Sequence, residues 1–380
     1  MRITHFCLAG TITDGWSYQE NLLAKYHRQL GHEVTIITSC WVYNSDYYLY
    51  KSERQDYYLD DGTHVIRLNM RKGGKPNGRF ARFVGVEDAL QRAAPDVLFI
   101  HGCQFLDMRR VVRYLKNNHS VRVYVDNHAD FSNSATNILS KILNKYVWGY
   151  TARLIEPYTS KFYGVLPARC EFLKNIYGAP ANKVELLVMG ADDDLVTKAE
   201  QEIDNTRKRY NIIKDDFLIV TGGKIDRFKT QTILLMEAVK NINNNRLKLI
   251  VFGPVENDLK KRVNELVDGV RIQYLGWQGP QEGYDLFAIA NLVVFPGRHS
   301  VYWEQVAGMG IPMLVKDWEG THHVDIDGNV EFLYLDKEVE IREKIEKIIS
   351  NRGVYSAMFN AAQKCRNVFS YREIARRCIE

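Results

Sequence analysis

The sequence predicts an α/β protein made of two doubly wound domains, each with a parallel sheet. Short apolar segments such as residues 3–8 and 96–101 alternate with segments of helical periodicity such as residues 19–30. Alternation of this kind produces parallel strands joined by crossover helices. The same rhythm starts again near residue 217, after a charged stretch at 197–208 that lacks an apolar stripe.

The charged stretch places the domain boundary near residues 190–210, and we predict domains over 1–195 and 196–365. In the first domain, further strands are expected at 121–126, 154–156, 162–166 and 183–188. Ligands of doubly wound domains bind at the carboxyl ends of the strands. The loops that follow strands are therefore the places to search for a site, and two such sheets would face a common cleft.

Composition excludes several classes of protein. The chain has 380 residues, 46% of them hydrophobic and 26% charged, which is an ordinary globular balance. A net charge of +5 is too small for a dedicated nucleic-acid binder, so no nucleic-acid partner is expected. The six cysteines form no C-x-x-C pair and indicate reduced thiols. No apolar run reaches about 18 residues, which predicts a cytoplasmic protein with at most peripheral contact at the inner face of the membrane.

Two glycine loops are candidates for phosphate binding. Residues 10–15 join the first strand to the first helix. Gly15 in this loop could contact a phosphate or an acceptor, and a simple tight turn is an equally good interpretation. The second loop, T-G-G-K-I-D-R-F-K-T, combines Gly223 with the cations Lys224, Arg227 and Lys229. Backbone donors beside fixed positive charge are what a diphosphate leaving group requires. A solvated basic turn is the alternative interpretation.

A third candidate segment is P-G-R-H-S-V-Y-W-E-Q at 296–305, which follows a strand and leads into a helix. We expect His299 and Ser300 to contact phosphate, with Ser300 also capping the helix. Glu304 and Gln305 are expected to accept hydrogen bonds from ribose hydroxyls, as acidic residues do in dinucleotide sites.

The first domain has polar candidates at the ends of two strands. His128, within D-N-H-A-D, could polarise an acceptor or hydrogen-bond a sugar hydroxyl, although a structural histidine is nearly as plausible. His101 and Asp130 are weaker candidates for acceptor binding. The basic stretch at 62–86 has no acidic residue, and its Arg71 and Lys72 could meet anionic lipid or a pyrophosphate-linked acceptor rather than solvent.

Two motifs imitate metal sites. Asp192-Asp193-Asp194 has the pattern of a D-x-D metal motif, but its place at the domain junction favours a turn or a helix cap. His322-His323 with Asp325 could bind zinc, but adjacent histidines point apart and a fourth ligand is not evident. We therefore expect no metal.

Together these segments resemble GT-B glycosyltransferases, in particular glycosyltransferase family four, also called group 1. The resemblance runs over nearly the whole chain. It includes L-G-H-E-V-T at 30–35, V-M-G-A-D at 188–192, and G-K-I-x-x-x-K at 223–229, which is similar to the family's G-R-L-x-x-x-K. The family's E-x7-E motif differs here, because the loop is about three residues short and its second glutamate falls on Gln305 beside Glu304.

The resemblance implies two Rossmann-like domains, with the C-terminal helix at about 366–380 packing back on the first. It implies that Lys224 and Lys229 bind the donor diphosphate, that Gly253, Glu304 and Gln305 lie at the nucleotide, and that His128 lies beside the donor sugar. The expected reaction transfers a hexose-type sugar from a UDP- or GDP-sugar to a glycan or lipid-linked hydroxyl in surface polysaccharide synthesis, without a cofactor or metal. Catalytic roles are expected for His128 and Glu304.

Two alternatives remain open from the sequence. A GT-B nucleotide-sugar epimerase would act on the donor without an acceptor. A non-catalytic subunit that binds sugar nucleotides is conceivable because the first glutamate of the motif is missing. The nucleotide, the sugar, the linkage and the choice between retention and inversion are not specified by the sequence.

Overall fold

The computed structural model describes residues 1–44, 48–71 and 80–380. Internal contacts divide the chain into two compact units, Met1–Val188 with Tyr371–Glu380, and Met189–Ser370. The predicted division at 195/196 lies inside the second unit. Among the described residues, no helix combines the length and the apolar character that crossing a membrane requires.

The first unit contains ten strands and six α-helices among the described residues before the chain enters the second unit. In chain order they are β1 (Arg2–Cys7), α1 (Gln19–Gln29), β2 (Glu33–Ser39), β3 (Trp41–Tyr43), β4 (Leu49–Lys51), β5 (Asp56–Tyr58), β6 (His64–Leu68), α2 (Val86–Ala93), β7 (Val97–His101), α3 (Met108–Lys116), β8 (Arg122–Asn127), α4 (Ile138–Leu143), α5 (Gly149–Ile155), β9 (Thr159–Gly164), α6 (Pro167–Phe172) and β10 (Val184–Leu186). One π-helical turn, Asn144–Trp148, joins α4 to α5, and another, Leu173–Tyr177, follows α6.

Eight of these strands form one sheet in the order β10-β9-β8-β7-β1-β2-β6-β5. Its neighbouring strands are parallel, except that β5 runs antiparallel to β6. The strands β3 and β4 form a separate antiparallel pair. The central strand β7 is buried along its whole length, as expected for a parallel strand covered on both faces.

The second unit repeats this architecture on a smaller sheet. Its elements are α7 (Asp193–Gln201), α8 (Ile203–Arg209), β11 (Phe217–Gly222), α9 (Gln231–Asn241), β12 (Leu247–Phe252), α10 (Lys260–Leu266), β13 (Ile272–Tyr274), α11 (Pro280–Ala288), β14 (Leu292–Phe295), α12 (Tyr302–Gly308), β15 (Met313–Lys316), β16 (Val330–Leu333), α13 (Glu338–Ser350) and α14 (Arg352–Cys365). The six strands are parallel in the order β13-β12-β11-β14-β15-β16. The carboxyl ends of β11, β12 and β14 therefore lie side by side.

The last helix, α15 (Tyr371–Arg377), belongs to the first unit. It packs on α1, where the rings of Tyr26 and Tyr371 stack with their centroids 6.5 Å apart. The carbonyl of Ile379 accepts hydrogen bonds from Arg122 and Tyr124 of β8. The first unit is thus completed by residues from the far end of the chain.

One predicted strand is wrong. Residues 154–156 do not form a strand, because Leu154 and Ile155 end the helix α5 and Glu156 begins a 3-10 turn. The apolar segment is too short for its periodicity to distinguish a buried helix from a strand. Its Ile155 is fully buried against the first unit's core, which an inward-facing helix residue achieves equally well.

Candidate functional site

Three loops of the second unit meet at the carboxyl edge of its sheet. Ile225, after β11, forms a parallel bridge with Val255, after β12. Gly223 and Gly253 have φ values of +123° and +119°, which disfavour any residue with a side chain. A β-carbon on Gly253 would lie 2.2 Å from the carbonyl oxygen of Gly223. The two loops can therefore approach only because Gly253 has no side chain.

Lys229 lies where the loop after β11 meets the loop after β14. A β-carbon built on Gly223 would be 4.0 Å from its Nζ, and one built on Gly297 would be 3.6 Å from its Cγ. Burial lowers the pKa of this ammonium, nearby Asp226 opposes the shift, and Arg298 reinforces it. The part of the chain that the structure describes offers Lys229 no ion-pair partner within 4.0 Å. Lys229 therefore brings the loop after β11 against the loop after β14 at Gly297.

Arg298 is a second cation at this edge that the sequence reasoning did not single out. Its guanidinium lies over the rings of Phe228, at 5.2 Å, and Trp318, at 5.4 Å. Within the described ranges it forms no ion pair with a carboxylate. Arg298 directly follows Gly297 in the loop after β14, and this position is the sequence signal that could have identified it.

Lys224 and Arg227 are placed differently from Lys229. The Nζ of Lys224 lies 3.1 Å from Glu256 and 3.4 Å from Asp226, on the exposed surface of the turn. Arg227 is also exposed, with its guanidinium over the ring of Phe228. The charge of Lys224 is thus matched by acidic neighbours, and the prediction that it binds the diphosphate as Lys229 does is not supported by these contacts.

The segment after β14 forms a buried cluster of one carboxylate and two imidazoles. Glu304 is 0% exposed, and its Oε1 lies 2.8 Å from Nε2 of His299 and 2.9 Å from Nε2 of His323. Its Oε2 is buried without a hydrogen-bond partner among the described residues. Burial alone would favour the neutral acid, but the two imidazoles outweigh it and lower the pKa of Glu304 to about 2.

This placement corrects the expectation that Glu304 contacts a ribose or acts as a catalytic group. A fully buried carboxylate that already binds two imidazoles holds those rings in place and does not reach a ligand in this conformation. Gln305 is also largely buried, at 8% exposure. Ser300 does not cap α12, because the N-cap is Val301 and no side-chain capping bond is present. His299 and Ser300 are both partly exposed beside Arg298.

His299, Glu304 and His323 are also where a metal would be held, since one ligand atom from each lies within 4.8 Å of the others. Imidazole and carboxylate are common zinc ligands.

The two motifs that imitate metal sites in the sequence have other roles in the structure. Asp192 caps α7 by accepting a hydrogen bond from the Asp194 N–H, as expected.

The zinc site considered at His322, His323 and Asp325 is not formed. His322 pairs with Asp317, and the carboxylate of Asp325 accepts backbone N–H groups of Gly328 and Val330. His323 turns to Glu304 instead, because adjacent histidines project in different directions, as the sequence indicated.

In the first unit, His128 directly follows β8 and lies beside a buried carboxylate. Its Nε2 is 3.6 Å from Oδ2 of Asp126, which is itself 0% exposed. Burial would lower the pKa of His128, but the Asp126 carboxylate outweighs burial and raises it. Glu20 adds to the rise and Arg169 opposes it. His128 is therefore partly exposed, and its surroundings favour the protonated form of its ring.

Behind Asp126 runs a chain of three buried histidines. Oδ2 of Asp126 lies 2.7 Å from His101, whose other nitrogen is 2.9 Å from His5; His5 is in turn 3.0 Å from His27. The far nitrogen of His27 lies 2.8 Å from the carbonyl oxygen of Ala375 in α15. His101 therefore belongs to this row of hydrogen-bonded histidines. At 4% exposure it is too deeply buried for the acceptor contact that was expected.

The proton count of this chain follows from its two ends. Both the Asp126 carboxylate and the Ala375 carbonyl can only accept, so the four links need four protons. Three neutral imidazoles supply three, so one histidine carries an extra proton that balances Asp126. Burial lowers the pKa of His5, with His27 and His101 adding to the effect, and burial lowers that of His27 to about 4.

We expect side-chain 15N NMR of histidine-labelled protein at neutral pH to show a single imidazolium among His5, His27 and His101. The two remaining rings should be neutral tautomers with strongly downfield N–H protons, because each is hydrogen-bonded at both nitrogens. Replacement of Asp126 by Asn should remove the imidazolium signal. Three neutral rings in the unaltered protein would mean that the fourth proton lies on Asp126 or that one of the four links is broken.

The other candidates of the first unit have structural roles or lie elsewhere. Asp130 is buried and accepts hydrogen bonds from Ser132, Asn133 and Arg169, which corrects its expected acceptor contact. Gly15 is an exposed turn residue with a φ of +74°.

The basic stretch of the first unit is only partly a surface feature. Arg71 is exposed, whereas Lys72 lies outside the described residues. Arg67, from the same stretch, is 3% exposed and pairs with Asp14 at 2.6 Å. Its guanidinium also donates to backbone carbonyls of Ile12 and Ser39. Arg67 is therefore a buried structural cation that is not available to a lipid surface.

A cavity of about 230 Å³ opens at the carboxyl edge of the first unit's sheet. It is lined by the loops that follow β1, β2 and β7, together with residues on either side of 72–79. The lining residues are Leu8, Ala9, Gly10, Thr11, Ser39, Tyr43, Met70, Ala81, Phe83, Gln104 and Phe105. The cavity is therefore mainly apolar, with a few polar groups from the glycine loop, Ser39 and Gln104.

Solved structures that resemble the whole chain fix its fold. A glycosyltransferase from Rickettsia africae aligns with a TM-score of 0.68 at 13% identity, covering 98% of this chain and 96% of that one. Anabaena HepE, in complex with UDP and glucose, aligns with a TM-score of 0.63 at 14% identity, covering 99% and 98%. A putative UDP-N-acetylglucosamine 2-epimerase from Listeria monocytogenes aligns with a TM-score of 0.62 at 13% identity, covering 99% and 94%. The predicted GT-B fold is confirmed.

The sequence of the second unit matches a glycosyltransferase family. Residues 202–365 match the sequence model of the family described as glycosyl transferases group 1. This range includes all three loops that meet at the edge of the second sheet, so the resemblance noted from sequence is confirmed for the second unit. A comparison with curated protein sequences gave no match.

Proposed function

We propose that the chain transfers a sugar from a nucleotide-diphosphate sugar to a hydroxyl of a glycan or lipid-linked acceptor in cell-surface polysaccharide synthesis. The observation that carries the proposal is the pair of cations Lys229 and Arg298 at the edge of the second sheet. Neither has a carboxylate partner among the described residues, and the glycine backbone of 222–223 lies beside them. A diphosphate would supply the missing negative charge.

The chemistry follows from what these groups can do. As the bond between sugar and diphosphate breaks, negative charge accumulates on the leaving oxygen. Lys229 and Arg298 stabilise that charge, and His299, fixed through its Nε2 by Glu304, offers its other nitrogen to a phosphate or sugar oxygen. The two cations can take the place of a metal, so the transfer is proposed to be metal-independent. HepE is a structural neighbour captured with UDP and glucose, which supports a UDP-sugar as donor.

The acceptor is assigned to the first unit. The apolar cavity behind residues 8–11 suits an acceptor with an apolar portion, and His128 is proposed to hydrogen-bond a sugar hydroxyl with the help of Asp126. The chain is proposed to act in the cytoplasm, with peripheral contact at the inner face of the membrane where a lipid-linked acceptor would be presented.

The experiment is a thermal-shift screen with UDP-, GDP- and ADP-sugars, followed by turnover assays with lipid-linked and free glycan acceptors. A ligand that binds the native state raises its melting temperature, and at about 100 times its Kd it adds about 2.7 kcal/mol. We expect one nucleotide class to raise the melting temperature and to be consumed only when an acceptor is present. Treatment with EDTA should leave the rate unchanged. No shift with any of the three classes would count against the proposal.

A second candidate is a nucleotide-sugar epimerase, because the Listeria structure that aligns over almost the entire chain carries that description. The two functions differ in one observable. An epimerase would convert the donor with no acceptor present, whereas a transferase would at most hydrolyse it slowly. Product analysis by NMR with donor alone distinguishes them, and tight binding without either product would indicate a non-catalytic subunit.

A further inference from the structure

The long helical segment of the first unit exposes large apolar side chains that no other described residue covers. Ile138 is 77% exposed, Leu139 79%, Ile142 50% and Tyr146 64%. The helices α4 and α5 and the π-turn between them form one continuous helical segment from 138 to 155. Residues 138, 142 and 146 are four apart, so they follow one another along a single side of it.

The opposite side of the same segment is firmly anchored. Trp148 and Ile155 are 0% exposed within the first unit's core, and the Asn144 side chain hydrogen-bonds Gln104 and Tyr177. The segment therefore has a defined orientation, and its exposed face is not a core face turned outward. Aliphatic side chains left in water forgo the favourable free energy of burial. Such a contiguous patch marks an interaction surface.

The charge of the segment indicates the kind of surface that it binds. Residues 131–155 contain no Asp or Glu, while Lys141 and Lys145 are both exposed. The ammonium of Lys141 lies 5.9 Å from the ring centroid of Phe131, which is 47% exposed, and that of Lys145 lies 5.8 Å from the ring centroid of Tyr146. Aliphatic and aromatic side chains interspersed with lysines, without acidic residues, are the composition of an interfacial helix on an anionic bilayer.

We propose that the exposed face of residues 138–150 docks on an anionic lipid surface. Ile138, Leu139 and Ile142 enter the boundary between headgroups and acyl chains, and Lys141 and Lys145 pair with lipid phosphates. The inference deepens the membrane contact within the proposed function, and it assigns that contact to this helix instead of the basic stretch at 62–86. Its test reads lipid binding and not sugar transfer, so either proposal can fail without the other.

The test is flotation of the full chain with phosphatidylcholine vesicles, with and without phosphatidylglycerol. We expect binding only when phosphatidylglycerol is present. Changing Ile138, Leu139 and Ile142 together to Ser should weaken it at least about tenfold, since most of the apolar burial is removed. The double change Lys141→Glu and Lys145→Glu should abolish it and should do so without altering the melting temperature, because both side chains are exposed.

The matched control replaces three exposed apolar residues of the second unit, Ile213, Val270 and Val339, which are 52%, 66% and 46% exposed. Changed to Ser, they should leave vesicle binding intact. Three results would overturn the proposal: no binding to either vesicle, equal binding by the helix variant and the control, or a dimer in light scattering that the helix variant converts to a monomer. The last would show that a second copy of the chain, not lipid, covers this face.

Discussion

Replacement of Lys229 by Ala is expected to lower the rate of donor turnover by roughly 10²–10³-fold, the usual cost of removing one group that stabilises developing charge. Lys229 is half-buried between Gly223 and Gly297, and burial makes its unneutralised charge costly until an anion arrives. The loss should appear in kcat as well as in KM, since the negative charge on the leaving group grows as the bond breaks. Steady-state kinetics with a saturating acceptor would measure it.

Lys224→Ala is the matched control, because this lysine belongs to the same loop but pairs with Glu256 and Asp226 on the surface. Exposed ion pairs contribute little, so its activity should stay within a few-fold of the unaltered enzyme. Equal losses in the two variants, or no loss with Lys229→Ala, would mean that the edge of the second sheet does not hold the diphosphate.

The largest effect on stability is expected from Glu304→Ala. Removing one partner from a buried ionic cluster leaves His299 and His323 without their acceptor, and such changes typically cost about 3–5 kcal/mol of unfolding free energy. Glu304→Gln keeps the shape and one acceptor oxygen, so it should cost less. Glu265→Ala, at a half-exposed position, should change the unfolding free energy by no more than about 0.5 kcal/mol. Urea unfolding followed by circular dichroism would provide all three values.

The same cluster predicts a pH dependence. The pKa of Glu304 is lowered from its ordinary 4.5 to about 2, so the unfolded state takes up a proton before the folded state does. The stability that the carboxylate contributes is therefore present above about pH 4.5 and is lost as the pH falls toward 2. The difference in unfolding free energy between the unaltered protein and Glu304→Gln should shrink over this window. A difference that stays constant down to the lower limit would contradict the ionic description of the cluster.

The sequence was sufficient for the fold because its signals are local. Apolar runs such as Leu292–Phe295 and Leu247–Phe252 are each followed by proline or glycine, and both form strands of the second sheet. The edge of the second sheet was predictable for the same reason, since parallel strands deliver their following loops to one side. The helix around 154–156 was missed because a segment of three residues, Leu-Ile-Glu, is too short to show a periodicity.

The partners of the site residues could not be predicted. Glu304 and His323 are separated by a strand and a turn, so nothing in their spacing showed that they would bond, or that burial would remove Glu304 from the ligand. The row of buried histidines links residues of three strands and two helices of the first unit, from Asp126 in β8 to Ala375 in α15. The pairing of Arg67 with Asp14 likewise depends on the sheet being assembled. Long-range contacts of this kind exist only once the fold has been formed.

The place of α15 has a consequence for biosynthesis. The carbonyl groups of Ala375 and Ile379 accept hydrogen bonds from buried donors on α1 and β8. During translation, α1 and β8 leave the ribosome long before α15, so these donors have no partner until α15 has been made. The intervening second unit can fold on its own in that interval, as domains commonly do during translation. Production of the N-terminal half without the final ten or so residues should therefore give a protein that aggregates, whereas co-expression with the tail supplied on a separate polypeptide offers a way to recover it.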